Sequence, residues 1–189
     1  MSRNGKLIIL SAPSGSGKTT IMRQLLALFP ELEFSVSATS RAPRGAERHG
    51  VDYYFLSGEE FARRAAADEF VEWEEVYAGT CYGTLRAELD RIWAKGHTIV
   101  FDVDVMGGIN LKRKFGTDAL SIFVMPPSVD ELRNRLVIRG TDAPETIEKR
   151  VAKAEQEIAR SNDFDLIVVN EQLDKAVAEV AEAVGKFTR

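Results

Sequence analysis

Cysteine, histidine and long apolar runs are what this chain has least of. One cysteine, Cys81, in 189 residues rules out an internal disulfide, and with only two histidines it leaves no zinc site. Apolar runs such as Leu7–Leu10 and Ile122–Met125 are four residues long, far short of a membrane span, and the first is too short for a signal-peptide core. Basic charge is not in excess either. With 25 basic against 29 acidic side chains the formal charge is −4, which argues against broad nucleic-acid binding, where a basic surface supplies most of the affinity. Fourteen glycines and six prolines are too few for a low-complexity chain. These absences point to a protein of a reducing cytoplasm, with no membrane, no nucleic acid and no obligate protein partner. What is present is 44% apolar and 29% charged residues, enough to fill one globular core.

Short apolar runs alternate with amphipathic stretches. Lys6–Ser11, Thr98–Val103, Leu120–Val124 and Leu166–Val169 read as buried strands. Ile21, Met22, Leu25, Leu26 and Phe29 fall on one helical face, as do Leu85, Leu89, Ile92 and Trp93. Ser57, Ser128 and Asp142 each stand three residues before a glutamate, a helix-start signal. Strands alternating with helices predict an α/β fold with a parallel sheet. Two stretches interrupt it. Residues 34–88 carry aromatic, partly alternating segments that predict a small, mixed lobe. Residues 128–160 read as two helices joined by the polar turn Arg139–Ala143. The expected division is a core of residues 1–33, 89–127 and 161–189 with two insertions.

Between the first strand and first helix lies Ala12-Pro13-Ser14-Gly15-Ser16-Gly17-Lys18-Thr19, a Walker A pattern with Ala12 at the first glycine position. Backbone N–H groups turned inward by the glycines, and the helix N-terminus behind them, form an anion nest. Lys18 would reach the outer phosphates of ATP, and the Thr19 hydroxyl would ligate Mg²⁺. A Gly-Ser turn that merely caps a helix is the plainer alternative, but a lysine in a first turn is unfavourable unless an anion sits there. Asp102, ending an apolar strand, is the candidate Walker B carboxylate, holding Mg²⁺ through water.

Between residues 34 and 88 six basic and ten acidic side chains leave Arg41, Arg44 and Arg48 as a local positive cluster in an acidic lobe. Spacing alone leaves open whether these arginines bind an anion or form surface ion pairs of little energetic weight. Glu72 lies in an acidic run with Glu69, Glu74 and Glu75. Strict alternation places it opposite Val71 and Trp73, which fits a solvated side chain as well as a functional one. Arg135 and Arg139, four apart, project from one side of a helix, and Arg150 lies at the edge of the seam Ile147, Val151, Ala154, Ile158.

The run Ser35-Val36-Ser37, then Thr39-Ser40-Arg41-Ala42-Pro43-Arg44, Asp52-Tyr53-Tyr54-Phe55, Phe70-Val71-Glu72-Trp73 and Tyr82-Gly83-Thr84 resembles the guanylate kinases in order and content. The likeness continues through Pro126-Pro127-Ser128 and Arg139-Gly140-Thr141 to Ile167-Val168-Val169-Asn170. It implies a P-loop three-layer core, a GMP-binding lobe, an ATP lid and the reaction ATP + GMP ⇌ ADP + GDP, with dGMP as a further acceptor. Carried over by position, Ala12–Thr20 and Asn170 would bind ATP. Arg41, Arg44, Tyr53 and Tyr82 would hold the GMP phosphate, and Ser37, Glu72, Thr84 and Asp104 would surround guanine. Lys18, Arg41, Arg135, Arg139 and Arg150 would be the catalytic cations. The chemistry agrees. Guanine presents N1–H and N2–H₂ side by side to one carboxylate, whereas adenine offers an acceptor there; a Thr84 hydroxyl could donate to O6. Met106 stands where the family commonly has glutamine. Two alternatives are another nucleoside monophosphate kinase and a non-catalytic phosphopeptide-binding relative. The intact Gly15, Gly17, Lys18 and Thr19 argue against the second.

Overall fold

The computed structural model describes residues 5–140 and 143–189. Five parallel strands form the central sheet: β1 (Leu7–Ser11), β2 (Leu32–Phe34), β7 (Thr98–Asp102), β8 (Ala119–Met125) and β9 (Leu166–Val169), in the order β2-β7-β1-β8-β9. Every residue of β1 is buried, because helices cover both faces of the sheet. Side chains alternate between two cores. Ile8, Leu10, Val100, Ile122 and Val168 pack against α1 (Lys18–Leu28) and α7 (Leu173–Thr188) through Ile21, Leu25, Val177 and Val180. Leu7, Ile9, Ile99 and Phe101 face α3 (Arg86–Trp93) and α4 (Val105–Phe115) through Leu89, Ile92 and Leu111. The result is the α/β fold with a parallel sheet that the alternating pattern predicts, in the three layers that the resemblance implies.

A second, mixed sheet joins β3 (Ala38–Thr39), β4 (Tyr54–Phe55), β5 (Phe70–Tyr77) and β6 (Thr80–Leu85) in the order β4-β3-β6-β5. The β3–β4 pair is parallel, the other two antiparallel. This sheet closes on α2 (Gly58–Ala66) over Ala38, Phe61, Phe70 and Leu85, with the Phe61 and Phe70 rings stacked 4.5 Å apart. Phe34 and Arg86 lie in elements of the core layers, so the second sheet takes its strands from a narrower span than residues 34–88. Two helices, α5 (Val129–Arg139) and α6 (Pro144–Ile158), form a hairpin with its own small core of Leu132, Leu136, Ile147, Val151 and Ala154.

The helix starts follow the sequence in two of three cases. Ser57 Oγ accepts from the Glu60 N–H, and Ser128 Oγ from the Glu131 N–H, both at 3.0 Å. The glutamates do not complete a reciprocal box: Glu60 pairs with Arg63 and Arg64, and Glu131 with Arg135. The third start, at Asp142, lies outside the described residues; α6 opens with Ala143 as cap and Pro144 in its first turn.

Candidate active site

Strand β1 runs straight into the loop at residues 12–17, and α1 begins at Lys18. Gly15 and Gly17 take φ of +94° and +90°, a backbone region costly for other residues. A Cβ at Gly17 would also collide with Asn170 Nδ2. That amide donates to the Ser16 carbonyl at 2.7 Å and fixes the loop from below. Lys18 Nζ is ion-paired with Asp102 at the end of β7 and donates to the Val103 carbonyl at 2.9 Å. The loop lysine and the strand-terminal carboxylate are therefore side by side. Helix capping, the plainer job for an aspartate here, falls to Asp104, whose Oδ1 accepts from the Gly107 N–H at 3.1 Å.

A cavity of about 670 Å³ opens over this loop and extends into the cleft beside the second sheet. Of the residues expected from the sequence, Ala12–Thr20, Ser37, Tyr53, Glu72, Tyr82, Asp102, Asp104, Arg135 and Arg139 line it. Five others stand behind or beside the wall. Arg41 Nε donates to the Tyr82 hydroxyl at 3.0 Å, and its guanidinium lies 4.9 Å over the Tyr53 ring. Glu47 holds Arg41 through two bonds of 2.7 and 2.8 Å, raising the arginine's pKa and lowering its own to about 2. Arg44 is exposed, and its backbone N–H donates to Glu47. Asn170 is buried under the loop, its own carbonyl accepting from Arg135 at 3.1 Å. Arg150 Nη1 donates to Ser14 Oγ at 2.7 Å, tying α6 to the phosphate loop.

Thr84 stands behind the wall. It is fully buried, and its hydroxyl donates to Glu72 Oε1 at 2.8 Å, which orients the carboxylate. The face of Glu72 also differs from strict alternation. Leu85 pairs with Phe70 and Thr84 with Glu72, which leaves Val71 as an extra residue in a bulge. Phe70 and Trp73 consequently share the side facing Phe61, while Val71 packs into the main core. Glu72 is turned to the cavity beside Thr84. Its other oxygen approaches α4 closely: a Cβ at Gly107 would be 3.2 Å from Glu72 Oε2 and 2.9 Å from Asp104 Oδ1. Burial pushes the Glu72 carboxyl up to about 7 against the Thr84 hydrogen bond, with Asp104 and Glu74 adding repulsion. The neighbouring acids are not solvated spares: Glu69 pairs with Arg63 and Arg64, and Glu74 accepts from Asn110 at 2.6 Å.

The cavity thus joins an anion nest, a cationic hairpin and the two acids Glu72 and Asp104. The family model for guanylate kinase matches residues 4–187. The chain belongs to the guanylate kinase family. A guanylate kinase of Bacteroides fragilis is 53% identical over 96% of this chain and 89% of that protein. One of Salinibacter ruber is 50% identical over 96% of each. A crystal structure of guanylate kinase from Anaplasma phagocytophilum superposes with a TM-score of 0.78 at 30% identity, covering 98% of this chain and 87% of that one. A shikimate kinase from Bacteroides thetaiotaomicron, 14% identical with a TM-score of 0.51, covers 95% of this chain and 98% of its own and shares the fold alone.

Within this guanylate kinase fold the cavity wall also includes Arg23, Lys153 and Glu157, which sequence reasoning did not single out. Lys153 and Glu157 follow Arg150 by three and seven positions, a helical spacing that was available as a signal. Glu47 was visible only as one acid among many; nothing in its spacing names Arg41 as its partner.

Proposed function

We propose that this chain catalyses phosphoryl transfer from Mg-ATP to GMP, and to dGMP, yielding ADP and the guanosine diphosphate. The observation that carries the reading is the single cavity that joins an intact phosphate loop to a buried Glu72–Thr84 pair. The first feature serves a nucleoside triphosphate. The second suits a base with adjacent N–H donors, because an ionised carboxylate accepts both and repels the adenine N1 lone pair. Ser37 and Asp104 complete that end of the cavity.

The reaction asks the protein for little covalent chemistry. An oxygen of the GMP phosphate attacks the γ-phosphorus, the bond from that phosphorus to the β–γ bridging oxygen breaks, and ADP leaves with the electron pair. The chain's task is to bring two polyanions into line and offset their repulsion. Arg41, backed by Tyr53 and Tyr82 and accompanied by Arg44, holds the acceptor phosphate. To receive it, Arg41 exchanges part of its Glu47 pairing for the phosphate. Loop amides and Lys18 hold the donor phosphates, while Arg135, Arg139 and Arg150 approach from the hairpin as a lid that excludes water.

The donor set fits magnesium carried in with the nucleotide. Thr19 offers an exposed hydroxyl on the cavity side and Asp102 a carboxylate at the strand end, both hard oxygen ligands. Among the described residues no group of three or more His, Cys, Asp or Glu could hold a metal ion. Bound there, Mg²⁺ would supply charge neutralisation on the β- and γ-phosphate oxygens. No described helix is long and apolar enough to cross a membrane.

The test is ADP release with Mg-ATP and a panel of GMP, dGMP, AMP, CMP and UMP. Turnover confined to the two guanine nucleotides is expected. Turnover with AMP equal to that with GMP, or none with any acceptor, overturns the reading.

A further inference from the structure

Helix α6 contributes more to the cavity than Arg150. Residues 150, 153 and 157 are spaced by three and four, which keeps them on one flank of the helix. Arg150 meets the phosphate loop at Ser14, and Lys153 and Glu157 line the cavity beyond it. Lys153 Nζ lies 3.7 Å from Glu157 Oε1, with the side chains 32% and 14% exposed. Lys18 and Asp104 also act electrostatically on Glu157, and both line the same cavity. Just beyond the end of α6, Arg160 Nη1 approaches Met106 Sδ at 3.9 Å.

A carboxylate in a cavity built for phosphates is unfavourable to its ligands unless a cation accompanies it. Burial already disfavours charge on Glu157 and raises its pKa. Lysine one turn away answers that need with a compact ammonium on a flexible stem carrying three N–H donors. One donor can stay on Glu157 while the others turn to phosphate oxygens, an arrangement the lid arginines, with their planar forks, do not duplicate.

We propose that Lys153 is a further phosphate-contacting cation of the transfer site and that Glu157 is the positioning residue that aims it. The inference rests on the kinase reading given above. When both nucleotides are bound, the ammonium shares itself between Glu157 and the transferring phosphoryl group, and its contribution is largest where negative charge on that group is spread.

The test is steady-state kinetics with Mg-ATP and GMP on the wild type, Lys153→Met, Lys153→Arg, Glu157→Gln and the double variant Lys153→Met/Glu157→Gln, each first checked for cooperative thermal unfolding. Lys153→Met should lower kcat by about 10- to 100-fold, in the range of a lost transition-state cation, with KM for GMP moved less than about twofold. Lys153→Arg should recover most of the loss. Glu157→Gln should lower kcat by a smaller factor, and add nothing on the Lys153→Met background. A kcat for Lys153→Met within about twofold of wild type overturns the role of Lys153. An equal effect of Glu157→Gln on both backgrounds overturns the pairing. Wild type run alongside separates the two readings: no GMP turnover there removes the kinase assignment itself, whereas normal turnover there with an unaffected Lys153→Met removes only this inference.

Discussion

Lys18 occupies the first turn of α1, where the helix dipole opposes a cation, and it stays because Asp102 and the Val103 carbonyl hold it. Replacing it with alanine should lower turnover by about 10³-fold or more, the scale of a lost transition-state cation; a loss under tenfold in the ADP-release assay counts against its role. Glu72 carries two opposing demands. Exchange for glutamine should depress GMP turnover by about 10²- to 10⁴-fold, since the substitute presents an N–H to a base that needs acceptors, and relative turnover with AMP should rise. The same change should stabilise the fold at high pH. An acid raised to about 7 from an ordinary 4.5 binds more protons folded than unfolded between those values, so stability falls as pH rises through that window. Glu72→Gln removes that slope, and its melting temperature should exceed wild type by about 2 °C or more at pH 8 but match it near pH 4.5. Equal pH slopes in the two proteins would refute the assignment. At this scale the resemblance located Glu72, but its orientation was not legible, because one extra residue at Val71 reverses the side chains that follow it, up to a second irregularity after Glu75. The direction of the Thr84 proton and the grip of Glu47 on Arg41 are likewise products of tertiary placement, invisible in spacing.

Among the elements, α3 links the two sheets through one side chain. Glu88 is 2% exposed and accepts from the Val36 N–H at 2.9 Å, the Tyr54 hydroxyl at 3.1 Å and Arg91 at 2.7 and 3.0 Å. Burial works against its charge, but these donors prevail and hold it below the usual carboxylate range. Val36 precedes Ser37 and Tyr54 follows Tyr53, so this carboxylate anchors both chain segments that lead into the cavity's acceptor end. Glu88→Ala should cost about 3 kcal/mol by leaving Arg91 and the Val36 amide short of partners, measured by denaturant unfolding. The milder Glu88→Gln should raise KM for GMP several-fold while leaving KM for ATP near wild type. A change in both constants alike would mean that the anchor is not specific to that lobe. Elements of this kind differ in how openly the sequence announces them. Strands β1, β7, β8 and β9 were legible because two covered faces demand unbroken apolar runs. Strands β3 and β4 have two residues each, too few for any period to show, and exist only because each finds a partner, β3 on β6 and β4 on β3.

The whole molecule ties its distant parts together at the phosphate loop. Strand β1 is paired on one side by β7 and on the other by β8, and the loop that follows it is held by Asn170, just beyond β9. Asn170→Ala should strand the buried Ser16 carbonyl and cost about 1–3 kcal/mol, with a several-fold rise in KM for ATP; unchanged ATP kinetics in a folded variant would deny the loop this support. The α/β class and the parallel sheet were readable from alternation, and the three layers from the resemblance, whereas the meeting of residues 16 and 170 was not, since no local pattern encodes a contact 154 positions apart. That contact has a consequence during synthesis. A growing polypeptide that has left the ribosome only as far as β8 can already form β1, β7 and the second sheet, yet its phosphate loop lacks the amide that braces it. Competence for tight nucleotide capture should therefore arrive late and abruptly. Chains stalled with residue 170 still inside the exit tunnel should give no ATP-dependent protease protection, and chains long enough to free α7 should give it in full.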